Sequence, residues 1–324
     1  MPFDLSYNTV AKGGITMNNL DWLMQGNPVI VHLTKKYLIN QTSYSNNQGY
    51  IKDYLDLQDP NTLLWGNGYY GPKWISTHYT LLELKNMEIT PGTKAYRDSL
   101  FKYIDYTFDE YLNKRGIESM DLCITGMIVN MLSYANLNHK KLNDMIDYIL
   151  STPMKDGGWN CLWNHDQQPK ISSVHTTINV LEGLVEYIMM NYQYRRDEVI
   201  KATNQAILCL LDRHLIYIKN TNTPIHESMA NHHYPARWKY DYLRVLELLA
   251  RYHYPYQIEM KEALDHLEKN LKKGKLSKGK QISGLIHFQL EETSSFGRFN
   301  TLRAYIVLKE YNKELFERVS HQEF

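Results

Sequence analysis

Tyr79-Thr80-Leu81-Leu82-Glu83-Leu84 and Met127-Ile128-Val129-Asn130-Met131-Leu132 decide the fold class. In both, apolar residues recur at helical spacing with no strand-type alternation. Most segments after Met17 read the same way. Pro60, Gly66, Gly71, Pro91, Gly116, Gly157 and Pro235 fall between these runs, where proline and glycine interrupt helices. The expected class is all-α.

The runs also repeat. Helix starts align at His32-Leu33-Thr34, His78-Tyr79-Thr80, Cys123-Ile124-Thr125, His175-Thr176-Thr177, Tyr240-Asp241-Tyr242 and Phe299-Asn300-Thr301. Their spacings of 46, 45, 52, 65 and 59 residues each leave room for two helices. More polar helices are expected between them, over Lys94–Tyr111, Lys140–Leu150 and Asp197–Arg213. Six apolar and six amphipathic helices suit a closed ring of hairpins, an α/α toroid, better than an open solenoid with polar caps. Residues 17–324 then form one toroid domain behind a polar leader, residues 1–16. Lys12-Gly13-Gly14, whose codons are purine-rich, stand where a ribosome-binding site would precede Met17, so Met17 is a candidate start. In such a ring His32, His78, Cys123 and His175 are expected at one rim, and charge mainly on the outer helices.

Composition narrows the function. Thirty-six basic residues against 35 acidic ones give a net charge of +1, too weak a field to gather nucleic acid. With 43% hydrophobic residues in 324, including 26 tyrosines, the chain can bury a large core. The longest apolar run, Ala206 to Leu211, is far short of a membrane span. The first twenty residues lack a basic start followed by an apolar block, so a cytoplasmic address is expected. Three cysteines, Cys123, Cys161 and Cys209, do not make a disulfide framework and read as thiols or metal ligands.

Asp121-Leu122-Cys123-Ile124-Thr125-Gly126-Met127, Asp156-Gly157-Gly158-Trp159-Asn160-Cys161 and Ser172-Ser173-Val174-His175-Thr176-Thr177 resemble the prenyltransferase and squalene-cyclase repeat superfamily of α/α toroids. The likeness covers most of Met17 to Asn312. It is closest to small bacterial squalene-cyclase-like members, which carry stretches similar to Arg237 to Arg244 and Asn300 to Ala304. The resemblance implies a central cavity for an isoprenoid-type ligand. True squalene cyclases protonate an alkene with an Asp-rich motif; this chain has no Asp-Asp pair. Protein prenyltransferase β subunits hold zinc with Asp-x-Cys and a later His, an order matched by Asp121, Cys123 and His175, although Val174 stands where those subunits usually have an aromatic residue. They also need a helical partner subunit, for which this chain shows no substitute.

Zinc is therefore the expected cofactor, on Asp121, Cys123 and His175, with Cys161 able to close the site as a fourth ligand. Residues two apart on a helix face nearly opposite sides, so Asp121 shares a metal with Cys123 only as a non-helical N-cap. Read without the family, Cys123 is a small buried hydrophobe, Asp121 a cap and His175 a repeat signature. Asp121 and Asp241 are the carboxylates at inner-helix starts, hence the catalytic candidates. Lys73, His78, Trp159, Arg237, Trp238, Tyr240 and Arg298 are candidate substrate contacts. Lys73, Arg237 and Arg298, with Lys114 and Arg115, are placed to hold a diphosphate at helix N termini. The competing readings are that Trp159 wedges between hairpins and that Arg237 pairs with Asp241. His226, His232 and His233 read as loop histidines; His165 follows Trp163 in the loop after Trp159. Six lysines over 269–280 read as a solvated loop, with contact to an anionic membrane surface as the alternative.

Two functions follow. One is a prenyltransferase- or terpenoid-cyclase-like enzyme with a Tyr- and Trp-lined apolar cavity. The other is a non-catalytic peptide- or lipid-binding toroid. Glycan processing ranks last.

Overall fold

Helix-starting residues recur where the periodicity places them. Asn27 accepts the Val29 amide at 3.1 Å with Pro28 as first helical residue, Ser173 accepts the Thr176 amide at 3.4 Å, and Asp241 accepts the Arg244 amide at 2.8 Å. The computed structural model describes residues 17–137, 140–164, 169–218, 221, 223–279, 281–291 and 296–324. The leader 1–16, and with it the ground for a start at Met17, lies outside the described residues, as does His165. Among the described residues thirteen α-helices follow in order: α1 (Asn19–Met24), α2 (Pro28–Tyr37), α3 (Tyr50–Asp56), α4 (Thr77–Asn86), α5 (Lys94–Thr107), α6 (Leu122–Tyr134), α7 (Lys140–Ser151), α8 (Val174–Met189), α9 (Arg196–Leu211), α10 (Tyr242–Arg251), α11 (Lys261–Asn270), α12 (Arg298–Tyr311) and α13 (Lys313–Ser320). Among the described residues there is no strand, only isolated bridges. The protein is all-α, and no described helix is long and apolar enough to cross a membrane.

Even-numbered helices from α2 to α12 start at the six expected positions to within a few residues, and α5, α7 and α9 match the expected polar helices. The short α1 is additional. Ile124 to Ser133 of α6 is buried without interruption, as expected of a helix surrounded by others. The buried apolar cluster extends from Trp22 to Val319. The first and last helices meet: α12 packs on α2, α1 on α13, and the Asn19 amide donates to the Val319 carbonyl at 2.8 Å.

Glycine sets the closest helix pair. A Cβ on Gly126 of α6 would lie 2.5 Å from the Asn179 carbonyl oxygen and 2.6 Å from Val180 Cα on α8, and one on Gly183 would strike the Gly126 carbonyl. Without those side chains the two backbones approach directly, which makes α6 and α8 the most intimate contact of the fold.

A threonine in the first turn, or just inside it, fixes three of the hairpins. Thr77 Oγ1 accepts the Trp65 amide (3.0 Å), Thr177 Oγ1 the Trp159 amide (3.0 Å) and Thr301 Oγ1 the Leu276 amide (3.1 Å). Each hydroxyl also reaches the carbonyl of the same residue, at 3.4, 3.3 and 3.5 Å. Thr177 and Thr301 stand at the repeat position read from the sequence. In the second repeat the anchor is Thr77, so His78 and His175 are not equivalent residues.

Candidate functional site

The N-terminal ends of the even-numbered helices gather most of the residues singled out from the sequence, but in separate groups. Asp121 is the non-helical N-cap of α6, yet its side chain makes no capping hydrogen bond. The Cys123 amide, one of the first-turn donors left open, is instead 3.4 Å from Cys161 Sγ. Cys161 Sγ also lies 3.4 Å from Thr176 Oγ1 in the first turn of α8. The Cys123 thiol, opposed by burial and helped by Thr176, lowers Cys161 to about 7 and is itself raised.

His175 belongs to another group. Its Nδ1 accepts the Tyr240 amide at 2.9 Å and its ring meets Trp238 edge-on at 5.1 Å. Burial, with Arg244 and Lys239, lowers it to about 4, so it is neutral at pH 7. Among the described residues no three of His, Cys, Asp and Glu are gathered so as to hold a metal ion. As placed, Asp121, Cys123, Cys161 and His175 do not form one ligand set.

Asp241 is fully buried as the cap of α10. Burial alone would raise it, but His233, Arg303 and the Arg244 amide hold it below the ordinary carboxylate range. Tied to His233 at 3.1 and 3.3 Å, it is enclosed on its own side of the helix and does not pair with Arg237. The pairing expected between those two is corrected: Arg237 forms an ion pair with Glu83 at 2.6 Å and lies 4.8 Å over Trp74.

The remaining candidates divide likewise. Trp159 is fully buried, its indole donating to the Ile149 carbonyl at 2.9 Å, which is the wedge reading. Tyr240 donates its hydroxyl to the Leu215 carbonyl at 2.6 Å. Arg298 stacks on Trp22 at 4.5 Å and donates to its carbonyl at 3.1 Å, apart from Arg237. Lys73 is exposed, with its ammonium 5.1, 5.7 and 5.9 Å from the rings of Tyr70, Trp74 and Trp238. Lys114 pairs with Glu110 on the surface, and Arg115 is exposed beside it. In the lysine segment, Lys275 is buried among Trp22, Phe296 and Phe324. His232 bonds Ser277 Oγ at 2.9 Å, and His226 interacts within the chain as well.

The histidines expected at one rim point elsewhere. His32 lies mid-helix in α2, 3.1 Å from Glu88 and 3.0 Å from Ser43. His78 is fully buried, with Nδ1 2.8 Å from the Tyr103 hydroxyl of α5. Burial, aided by Lys73, pushes it down to about 3. A histidine whose folded value lies below its unfolded one contributes stability fully above about 6.5, lost as pH falls toward the folded value. At pH 5 this loss is about 2 kcal/mol for His78. The thermal midpoint is therefore expected to fall between pH 7 and pH 5, and to fall less in His78→Gln; an equal fall in both excludes His78 as a source.

The cavity lies nearer the other helix ends. About 200 Å³ is enclosed by residues from all six even-numbered helices, and Tyr37, Asn86, Tyr134, Met189 and Arg251 are the last residues of five of them. No tryptophan lines it, and the expected apolar lining is only half the wall. Leu33, Val185, Leu248, Leu302 and Ile306 alternate with three largely buried ion pairs, Arg244 with Glu182 (2.6 Å), Arg303 with Glu247 (2.6 Å) and Lys85 with Glu186 (2.8 Å), and with a fourth, Lys36 with Glu88 (2.7 Å), whose lysine is exposed. Arg251 reaches Glu88 at 3.1 Å. Burial raises Glu83, against the opposing pull of Arg237 and Tyr54. Asn130 Oδ1, in the same wall and buried, has no hydrogen-bond partner among the described residues.

Sequence reading missed these charges because it assigned charge to the outer helices. The signal was present: Glu83, Lys85, Glu182, Glu186, Arg244, Glu247 and Arg303 interrupt otherwise apolar inner helices. No family model matches the chain, and neither a curated protein nor a solved structure matches it.

Proposed function

We propose that residues 17–324 close as an α/α toroid of six hairpins and that its central cavity binds a small amphiphile with an apolar, isoprenoid-type body and a hydrogen-bond-donating head. The observation that carries this reading is Asn130 Oδ1, a buried acceptor without a partner in the cavity wall. Leaving it unmet costs about 1–3 kcal/mol, which a ligand hydroxyl or ammonium recovers.

Electrostatics favours the same head. Lys36, Lys85, Arg244, Arg251 and Arg303 stand against Glu83, Glu88, Glu182, Glu186 and Glu247, five against five, so the formal charge of the lining is zero. Five helices add C-terminal ends, each equivalent to roughly half a negative charge. An anionic diphosphate meets no excess of cations there. Binding without chemistry is thus the form of the proposal best supported, and prenyl transfer or cyclisation is its narrower form. Asp121 and Asp241 have no part in the cavity wall.

The test compares farnesol, farnesylamine and farnesyl diphosphate by calorimetry. The alcohol and amine are expected to bind, and the diphosphate at least about tenfold more weakly. Asn130→Leu should weaken the alcohol by about tenfold, the equivalent of one hydrogen bond, with no loss of thermal stability. Binding of none of the three overturns the proposal, and tightest binding of the diphosphate replaces it with the prenyl-transfer reading.

A further inference from the structure

Cys123 and Cys161 are 38 residues apart in sequence and side by side in the fold. The Cys123 amide is directed at Cys161 Sγ at 3.4 Å. Neither takes part in the cavity or in the ion pairs of its wall. Both are partly exposed, whereas Cys209 is buried and held by Ser172 at 3.2 Å and Arg213 at 3.0 Å.

From this juxtaposition we infer that Cys161 is an oxidation site for hydroperoxides, with Cys123 as the resolving thiol that closes a Cys123–Cys161 disulfide. Three features of the geometry support it. Cys161 sulfur lies between the first turns of α6 and α8, against a backbone N–H and a hydroxyl, so negative charge developing on it meets donors already in place. The second thiol belongs to the residue whose own amide meets Cys161 Sγ at 3.4 Å, so resolution needs no large rearrangement. The third thiol of the chain is enclosed and serves as an internal control.

The chemistry balances with the peroxide as the only oxidant. Cys161 sulfur attacks one peroxide oxygen; the O–O bond breaks, an S–O bond forms, and the other oxygen leaves as water after taking up the thiol proton. Sulfur is oxidised by two electrons and the peroxide reduced by two. Cys123 sulfur then attacks the sulfenic sulfur, forming the S–S bond. The S–O bond breaks and hydroxide departs as water with the Cys123 proton. Two thiols and one hydrogen peroxide become one disulfide and two waters. The product ties the first turn of α6 to the loop that carries Cys161, and uses up Cys123, the thiol that the prenyltransferase resemblance assigns to zinc, together with Cys161.

The inference is independent of the cavity reading, and its test does not use the cavity. The purified full chain is treated with a small excess of hydrogen peroxide, quenched, unfolded and titrated for thiols, then mapped by peptide mass spectrometry without reduction. Free thiols are expected to fall from three to one, with the Cys123 and Cys161 peptides joined and lighter by two hydrogens. Both should react roughly tenfold or more faster than Cys209. In Cys123→Ser, a sulfenic acid on Cys161 should be trapped by dimedone; in Cys161→Ser, Cys123 should stay reduced over the same interval. Retention of three thiols, a disulfide through Cys209 or between chains, or oxidation of Cys123 at the wild-type rate in Cys161→Ser overturns the assignment. The wild-type map decides the pairing even where a variant folds poorly.

Discussion

Replacing Gly126 with valine is expected to leave no folded protein in the soluble fraction. The first added carbon already falls within 2.5–2.7 Å of Asn179 and Val180 backbone atoms, which cannot swing aside as a side chain would. Overpacking a core costs about 1–3 kcal/mol when neighbours can adjust; two helices must part here, so the cost for alanine is expected at the upper end, about 3 kcal/mol, and for valine beyond it. Gly92 supplies the control, because a Cβ there meets nothing within 4 Å. Thermal melts of Gly126→Ala and Gly92→Ala should therefore separate by several degrees. Equal midpoints would mean that α6 and α8 are not packed backbone to backbone.

Arg244→Ala should cost nearly as much for an electrostatic reason. The guanidinium donates to Glu182 through Nε at 2.6 Å and Nη2 at 2.7 Å, and to the Lys239 carbonyl and Asn179 Oδ1 at 2.7 and 2.9 Å. Its removal leaves the largely buried Glu182 carboxylate without its cation, a loss of about 3–5 kcal/mol. Replacing both partners by apolar residues of similar volume removes the stranded charge, so Arg244→Met combined with Glu182→Leu should melt well above Arg244→Ala. A double variant no more stable than the single one would assign the loss to the Lys239 and Asn179 contacts instead.

Helix order and the approximate starts of the longer helices were legible because each depends on neighbours in sequence. Asn27-Pro28, Ser173 and Asp241 announce the starts of α2, α8 and α10, and apolar periodicity carries each helix onward. The short α1 carries too few turns for periodicity to stand out. The site was less legible because its partners are far apart. Arg303 meets Glu247 across 56 residues, Arg244 meets Glu182 across 62, and Arg251 meets Glu88 across 163. A lone charge in an apolar helix gives no indication of which opposite charge it will meet. The cysteines show the same limit: grouping Cys123 with Cys161 agrees with the fold, while His175, chosen by its position at a helix start, turns to Tyr240. Three residues of register were enough to misplace His78, since Thr77 rather than Thr80 holds the anchor.

The threonine anchors separate the helices from the loops that precede them. Thr77, Thr177 and Thr301 grip backbone 12, 18 and 25 residues upstream, with nearly the same two hydrogen bonds each time. The span between anchor and threonine has doubled across one molecule at no cost to the joint that closes it, as expected when loop entropy rises only slowly with length. Lys73 lies within the first of these spans, Cys161 within the second and Lys278 within the third. The scaffold is thus a set of fixed sockets holding interchangeable inserts, and new chemistry at that end can be gained by lengthening or rewriting an insert while the helices beneath keep their register.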